Sequence, residues 1–207
     1  MNFRPPMLLP CNRSTRWCFP MAGASATTPT GGAMRKGFVA ACRVRRLRVW
    51  CCSVRVGGWR VAVAYALAEM GALEVHIFDL DAAKVDAVIG KLVAVQPQCS
   101  FIAGSDLAGT LAGGASGLVH ATPTGMDAHP GLPLAPALVQ PHLWVSDIVY
   151  FPLQTPLVRL AKERGCRVLD GGGMAVFQAV GAFELFSGIK ADPDRMLAHF
   201  AQLQARN

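Results

Sequence analysis

Leu73-Glu74-Val75-His76-Ile77-Phe78-Asp79-Leu80-Asp81 is the stretch that decides the fold. Leu73 to Phe78 has the period of a strand, an acid follows at its end, and Asp81 caps a helix predicted to run to Val95. Upstream, Val61 to Met70 reads as a helix ended by Gly71; downstream, Cys99 to Ala103 reads as another strand. Strands separated by a helix instead of a hairpin turn need a crossover, and crossovers build a parallel sheet covered by helices.

The alternation continues outward. A strand at Gly117 to Ala121 leads into a Pro-rich loop from Pro123 to Pro133, a short helix near Pro136 to Val139, and a strand at Leu143 to Val149. Next come a helix at Thr155 to Arg164, a short strand at Arg167 to Leu169, the glycine run Gly171 to Gly173, and helices at Met174 to Phe186 and Pro193 to Ala205. The expected class is α/β, a doubly wound, Rossmann-type parallel sheet with helices on both faces. Residues 61–207 would form one dinucleotide-binding domain with a C-terminal helix. Residues 1–60 show no sustained period and are expected to be irregular, although the apolar run Val49 to Val56 could pass for a strand.

At 52% hydrophobic, the 207 residues can fill a core. The most apolar stretch, Val61 to Leu80, is broken by Glu69, Glu74 and Asp79, so no membrane span is expected. The net charge of +7 is unevenly spread: residues 1–60 hold eleven of the twenty Lys and Arg and no acid, which leaves nine bases against thirteen acids in 61–207. A basic chain invites a nucleic-acid partner. Here the domain itself is mildly acidic, so neither nucleic acid nor membrane is expected to bind it. Seven cysteines without a C-x-x-C pair support neither a disulfide framework nor a metal site, and Cys99 and Cys166 read as buried thiols of a cytoplasmic protein. No oligomeric state follows from the sequence.

A dinucleotide fold needs a glycine-rich turn after its first strand, where backbone N–H groups and a helix N-terminus approach the pyrophosphate. Arg55-Val56-Gly57-Gly58-Trp59-Arg60 occupies that place. Alone, Gly57 and Gly58 fit an ordinary turn as well. Asp79 lies 22 positions after Gly57, where an acid accepts hydrogen bonds from the adenosine ribose and repels a 2′-phosphate, which favours NAD over NADP. A helix-capping role suits Asp81 better than Asp79.

Three further motifs follow in order: His120-Ala121-Thr122-Pro123-Thr124-Gly125-Met126; Asp147-Ile148-Val149-Tyr150-Phe151-Pro152 with Thr155-Pro156-Leu157; and Asp170-Gly171-Gly172-Gly173-Met174 with Gln178. Together they resemble the cofactor domain of the shikimate/quinate dehydrogenase family over Val61 to Phe200. The resemblance implies that Ala121, Thr122, Pro123 and Thr124 line the ribose and nicotinamide side of the cofactor. It implies that Ile148 packs on the nicotinamide with Gly171 and Met174 flanking it, and that Tyr150 and Gln178 reach a small-molecule substrate, shikimate or quinate. His120 departs from the family, which usually has Asn there; an imidazole still donates one hydrogen bond, so a local change and an intact fold are expected. No metal site is expected.

The family's catalytic Lys and Asp belong to a substrate domain that residues 1–60 do not resemble. The first acid of the chain is Glu69, so the catalytic residues are unassigned and the chain is expected to be inactive as written. An acid-free, Arg-rich segment resembles a transit peptide, and its tryptophans would suit nucleic acid. A third reading is a shifted reading frame. With suitable synonymous codons, Ser14 to Gly32 then reads N-T-V-V-F-P-D-G-R-R-V-G-H-N-T-D-W-G, Lys36 to Arg43 reads G-F-R-R-G-L-P, and Val49 to Gly57 reads V-V-L-L-G-A-G-G. One offset yields strings that look like the family's missing parts, in order. The competing class is a non-catalytic dinucleotide-binding or basic nucleic-acid-binding protein, supported mainly by the sequence pI near 9.3.

Overall fold

The computed structural model describes the backbone of residues 49–54 and 59–204, and the side chains of residues 61–204. Six strands form one sheet: β1 (Val49–Val54), β2 (Glu74–Phe78), β3 (Ser100–Ala103), β4 (Gly117–Ala121), β5 (Trp144–Asp147) and β6 (Arg167–Leu169). Their order is β3-β2-β1-β4-β5-β6, and every pairing is parallel. The order reverses direction between β1 and β4, which makes a doubly wound sheet whose ligand crevice lies at the carboxyl ends of the strands. The apolar run read as a possible strand supplies β1, so the sheet begins upstream of Val61.

Helices α1 (Trp59–Glu69), α2 (Ala82–Val95), α3 (Leu107–Ala112), α4 (Pro156–Glu163), α5 (Gly172–Ser187) and α6 (Pro193–Gln204) connect or follow the strands, with a 3-10 turn at Pro136–Leu138. Local chemistry sets their ends. Asp81 caps α2 by accepting the Lys84 N–H, Thr155 caps α4 with Pro156 in the first turn, and Gly188 ends α5 in the left-handed region at φ 68°. Two expectations are corrected. Helix α3 was not expected at all, and α5 starts at Gly172, inside what reads as a glycine run, with Asp170 Oδ1 accepting the Gly172 N–H at 3.1 Å.

The strands alternate between two apolar clusters, as a sheet covered on both faces must. Val119, Ala121 and Trp144 join Val63 and Leu67 of α1 and Val85 and Leu92 of α2. Leu118 and Val145 join Leu111 of α3 and Leu157 and Ala161 of α4. His120 and Asp147 share the pleat of Leu118 and Val145, so they fall at the carboxyl end of the second cluster. Among the described residues no helix is long and apolar enough to cross a membrane.

Candidate functional site

The carboxyl ends of β4 and β5 are joined by a buried polar network. Pleat and register place His120 beside Asp147, and both side chains are fully buried. His120 Nδ1 lies 2.9 Å from Asp147 Oδ1. The same oxygen accepts the Val149 N–H at 3.0 Å, and Oδ2 accepts the Thr155 hydroxyl at 2.7 Å. Thr155 Oγ1 in turn accepts the Val158 N–H at 3.1 Å. On the other side of the ring, His120 Nε2 meets Thr122 Oγ1, which accepts the Thr124 N–H at 3.2 Å. A buried carboxylate with three donors is stable where an unpaired one would not be.

The loops beyond these strands carry the residues expected to bind. After β4, Ala121 and Thr122 are buried, Thr124 is half-buried and Pro123 is exposed. Gly125 turns the chain at φ 98°, which glycine tolerates best, and its N–H bonds the His129 carbonyl at 2.7 Å. After β5, Ile148 is half-buried against the α1–α2 cluster, while Tyr150 stands 53% exposed.

The loop after β6 is pressed onto the loop after β5. A Cβ on Gly171 would lie 2.5 Å from the Val149 carbonyl oxygen and 2.6 Å from that of Ile148, so this approach of backbone to backbone admits only glycine. Met174 is buried in the cluster that Ile148 abuts. Gln178, one turn further along α5, has a buried Nε2 with no hydrogen-bond partner among the described residues. Burying a donor unpaired costs about 1–3 kcal/mol, so an acceptor from a ligand would stabilise it.

At the far side of the edge, Asp79 follows β2, half-buried, with Oδ1 accepting the Asp81 N–H at 2.9 Å. The capping role falls to Asp81, as the sequence suggests, and its hydrogen bonds with Lys84 hold its carboxyl below the usual value. The expected pyrophosphate turn with Gly57 and Gly58 lies outside the described residues. Cys99 is buried, and burial pushes its thiol up to about 11. Cys166 is half-buried. No group of three or more His, Cys, Asp and Glu that could hold a metal occurs among the described residues.

The structure therefore brings Thr122, Thr124, Ile148 and Gly171 to adjoining loops at one edge, with Met174 and Gln178 on the helix that leaves it. Its donors and close backbone approaches fit a dinucleotide: a glycine-only contact beside the crevice, an acid after β2, and an inward amide for which a ligand oxygen would serve. Sequence reasoning quoted Asp147 and Thr155 without a role and read His120 only as a departure. The available signal was an ionisable residue at the buried end of each of two neighbouring strands.

No protein-family model matches the chain. Shikimate dehydrogenase (NADP(+)) of Arthrobacter sp. (strain FB24) is 48% identical over 150 residues, 72% of this chain and 51% of that protein. Quinate/shikimate dehydrogenase (NAD(+)) of Corynebacterium efficiens is 41% identical over 152 residues, 72% of this chain and 53% of that one. Among solved structures, the quinate dehydrogenase of Corynebacterium glutamicum in complex with NAD superposes with a TM-score of 0.76 at 33% identity, over 84% of this chain and 62% of that one. The chain thus spans about half the length of the curated relatives it matches, and those relatives are the ones the three motifs resemble.

Proposed function

We propose that this homologue of shikimate and quinate/shikimate dehydrogenases supplies the dinucleotide-binding half of an oxidoreductase that acts on a cyclic polyol carboxylate, shikimate or quinate. One arrangement carries the reading: the loops after β4, β5 and β6, which hold the three motifs, adjoin at the carboxyl edge of a β3-β2-β1-β4-β5-β6 parallel sheet. Such sheets bind dinucleotides at this edge.

A bound nicotinamide ring would supply the hydride acceptor. The chain's own residues hold and orient it. Ala121 to Thr124 line its ribose and nicotinamide side, and Ile148 packs on the ring between Gly171 and Met174; the sequence alone assigns Gly57 and Gly58 to the pyrophosphate. Asp79 accepts the ribose hydroxyls and repels a 2′-phosphate, so NAD is preferred although relatives named for each cofactor exist. The unpaired Gln178 amide donates to a substrate oxygen and the exposed Tyr150 hydroxyl bonds a second one. Cysteine usage and the acidic balance of 61–207 suit a cytoplasmic enzyme domain.

Proton transfer needs a Lys and an Asp that the resemblance assigns to a substrate domain. No acid precedes Glu69, so these 207 residues bind without turning over. Residues 1–48, read as out of frame, lie outside the described residues. Calorimetric titration of the chain with NAD and NADP tests the cofactor reading: NAD should bind weakly but more tightly than NADP. A tighter NADP would overturn the preference, and binding of neither at millimolar concentration would overturn the dinucleotide assignment. A chain carrying the shifted frame over 1–58, extended upstream to include a lysine-bearing segment, should reduce NAD with quinate or shikimate. Turnover by the chain as given would refute the assignment of catalysis to absent residues.

A further inference from the structure

We infer that His120 is a positioning residue that locks the loop after β4 to the loop after β5, using both ring nitrogens in a single neutral tautomer. The inference concerns how the binding edge is held in shape, and its link to cofactor affinity rests on the function proposed above.

The direction of each hydrogen bond follows from donor counting. An ionised Asp147 can only accept, so His120 Nδ1 carries the hydrogen in the contact at 2.9 Å. In a neutral ring Nε2 is then a bare acceptor. Thr122 Oγ1 accepts the Thr124 N–H, which leaves its own hydrogen to be given to Nε2. The chain therefore runs Thr124 N–H to Thr122, Thr122 O–H to His120, and His120 Nδ1–H to Asp147, where the Val149 N–H and the Thr155 hydroxyl also end. Every donor along it has an acceptor. Adding a proton at Nε2 would set two donors against Thr122 Oγ1 and displace its hydrogen.

This places fixed hydrogen bonds at Thr122 and Thr124 in one loop and at Val149 in the other, on either side of Ile148. The span is what selects histidine. Asn, with its amide one bond from the Cγ position, can reproduce Nδ1 and keep Asp147 satisfied, but it falls short of Thr122. Gln reaches the place of Nε2 but leaves Asp147 Oδ1 without that donor. A residue that held only β5 could become Asn with no effect on the loop after β4; one that joins both loops could not.

The test uses the full chain and two variants, His120→Asn and His120→Gln. Ring ¹⁵N NMR of the unsubstituted chain should show a protonated Nδ1 and a bare Nε2. In His120→Asn, amide exchange at Thr124 should quicken by roughly tenfold, the size of one lost hydrogen bond, while exchange at Val149 and at Leu92 in α2 stays as before. His120→Gln should show the opposite pattern, with Val149 quickened and Thr124 protected. Under the proposed function, NAD should bind His120→Asn several-fold more weakly. A protonated Nε2, or unchanged Thr124 exchange in His120→Asn, would overturn the inference whether or not NAD binds. Failure of the unsubstituted chain to bind NAD with the exchange pattern intact would overturn only the cofactor reading and leave the lock standing.

Discussion

The two halves of the sheet end differently at the same edge. Beyond β2, the polar groups sit near solvent: Asp79 and Asp81 are half-buried and Lys84 is exposed. Beyond β4 and β5, His120, Asp147 and Thr155 are sealed from it, and each contact is made to a strand or helix end. An exposed polar group contributes little to stability because water replaces its partners, whereas a buried one stands or falls with them. The β2 end can therefore carry ligand choice at small structural cost, and the β4–β5 end carries shape.

The largest effect should come from the sealed side. Asp147→Ala leaves the imidazole N–H, the Val149 N–H and the Thr155 hydroxyl without an acceptor. Denaturant unfolding should report a loss of about 3–5 kcal/mol, because three buried donors lose their acceptor and each unsatisfied one costs about 1–3 kcal/mol. A loss below about 1 kcal/mol would erase the contrast between the halves.

Gly171→Ala ranks next. Its Cβ meets two backbone carbonyls, not a movable side chain, so the loops after β5 and β6 must part. The expected cost is about 1–3 kcal/mol, typical of overpacking, with amide exchange rising at Val149 before it rises in α2.

The exposed side should respond in binding and hardly in folding. Asp79→Ser should keep stability within about 0.5 kcal/mol and shift the ratio of NAD to NADP affinity by about tenfold toward NADP, the scale of a charged hydrogen bond. An unchanged ratio would remove Asp79 from cofactor choice.

Asp81→Asn is the smallest. Asn still caps a helix, so only the charge is lost. Lys84 holds the Asp81 carboxyl below its ordinary 3.8 in the folded chain. That stabilisation is present above 3.8 and disappears as pH falls through the lower folded value. The unfolding midpoints of the two proteins should therefore differ slightly at neutral pH, converge on acidification, and converge also at high salt.

The same contrast explains what could be read from the chain. Strands such as Glu74–Phe78 and helices such as Ala82–Val95 announce themselves because their period and caps are local. Helix α3 escaped because Leu107–Ala112 is six residues long, contains Gly109 and runs into two more glycines; its one local signal is the cap, Asp106 accepting the Gly109 N–H. The start of α5 escaped because Gly172 and Gly173 look like a turn, although Gly172 is packed closely against Phe200 and Leu153. The expectation for Asp79 rests on its distance from Gly57 in the sequence, to which the structure adds its place directly after β2. The bond from His120 to Asp147 was not legible, because 27 positions separate them and only the register of β4 on β5 makes them neighbours.

Strand β1 gives the sheet a single seam. It pairs with β2 on one side and β4 on the other, and those two strands meet nothing else across that line. A chain cut after residue 54 would therefore keep β3–β2 and β4–β5–β6 as separate ribbons, each with a newly opened edge of unpaired amides and carbonyls. Such edges recruit strands from neighbouring molecules. The truncated protein should self-associate, and a peptide of sequence 49–54 added in excess should dissolve the aggregates by slotting between the ribbons, a case of strand addition within one fold.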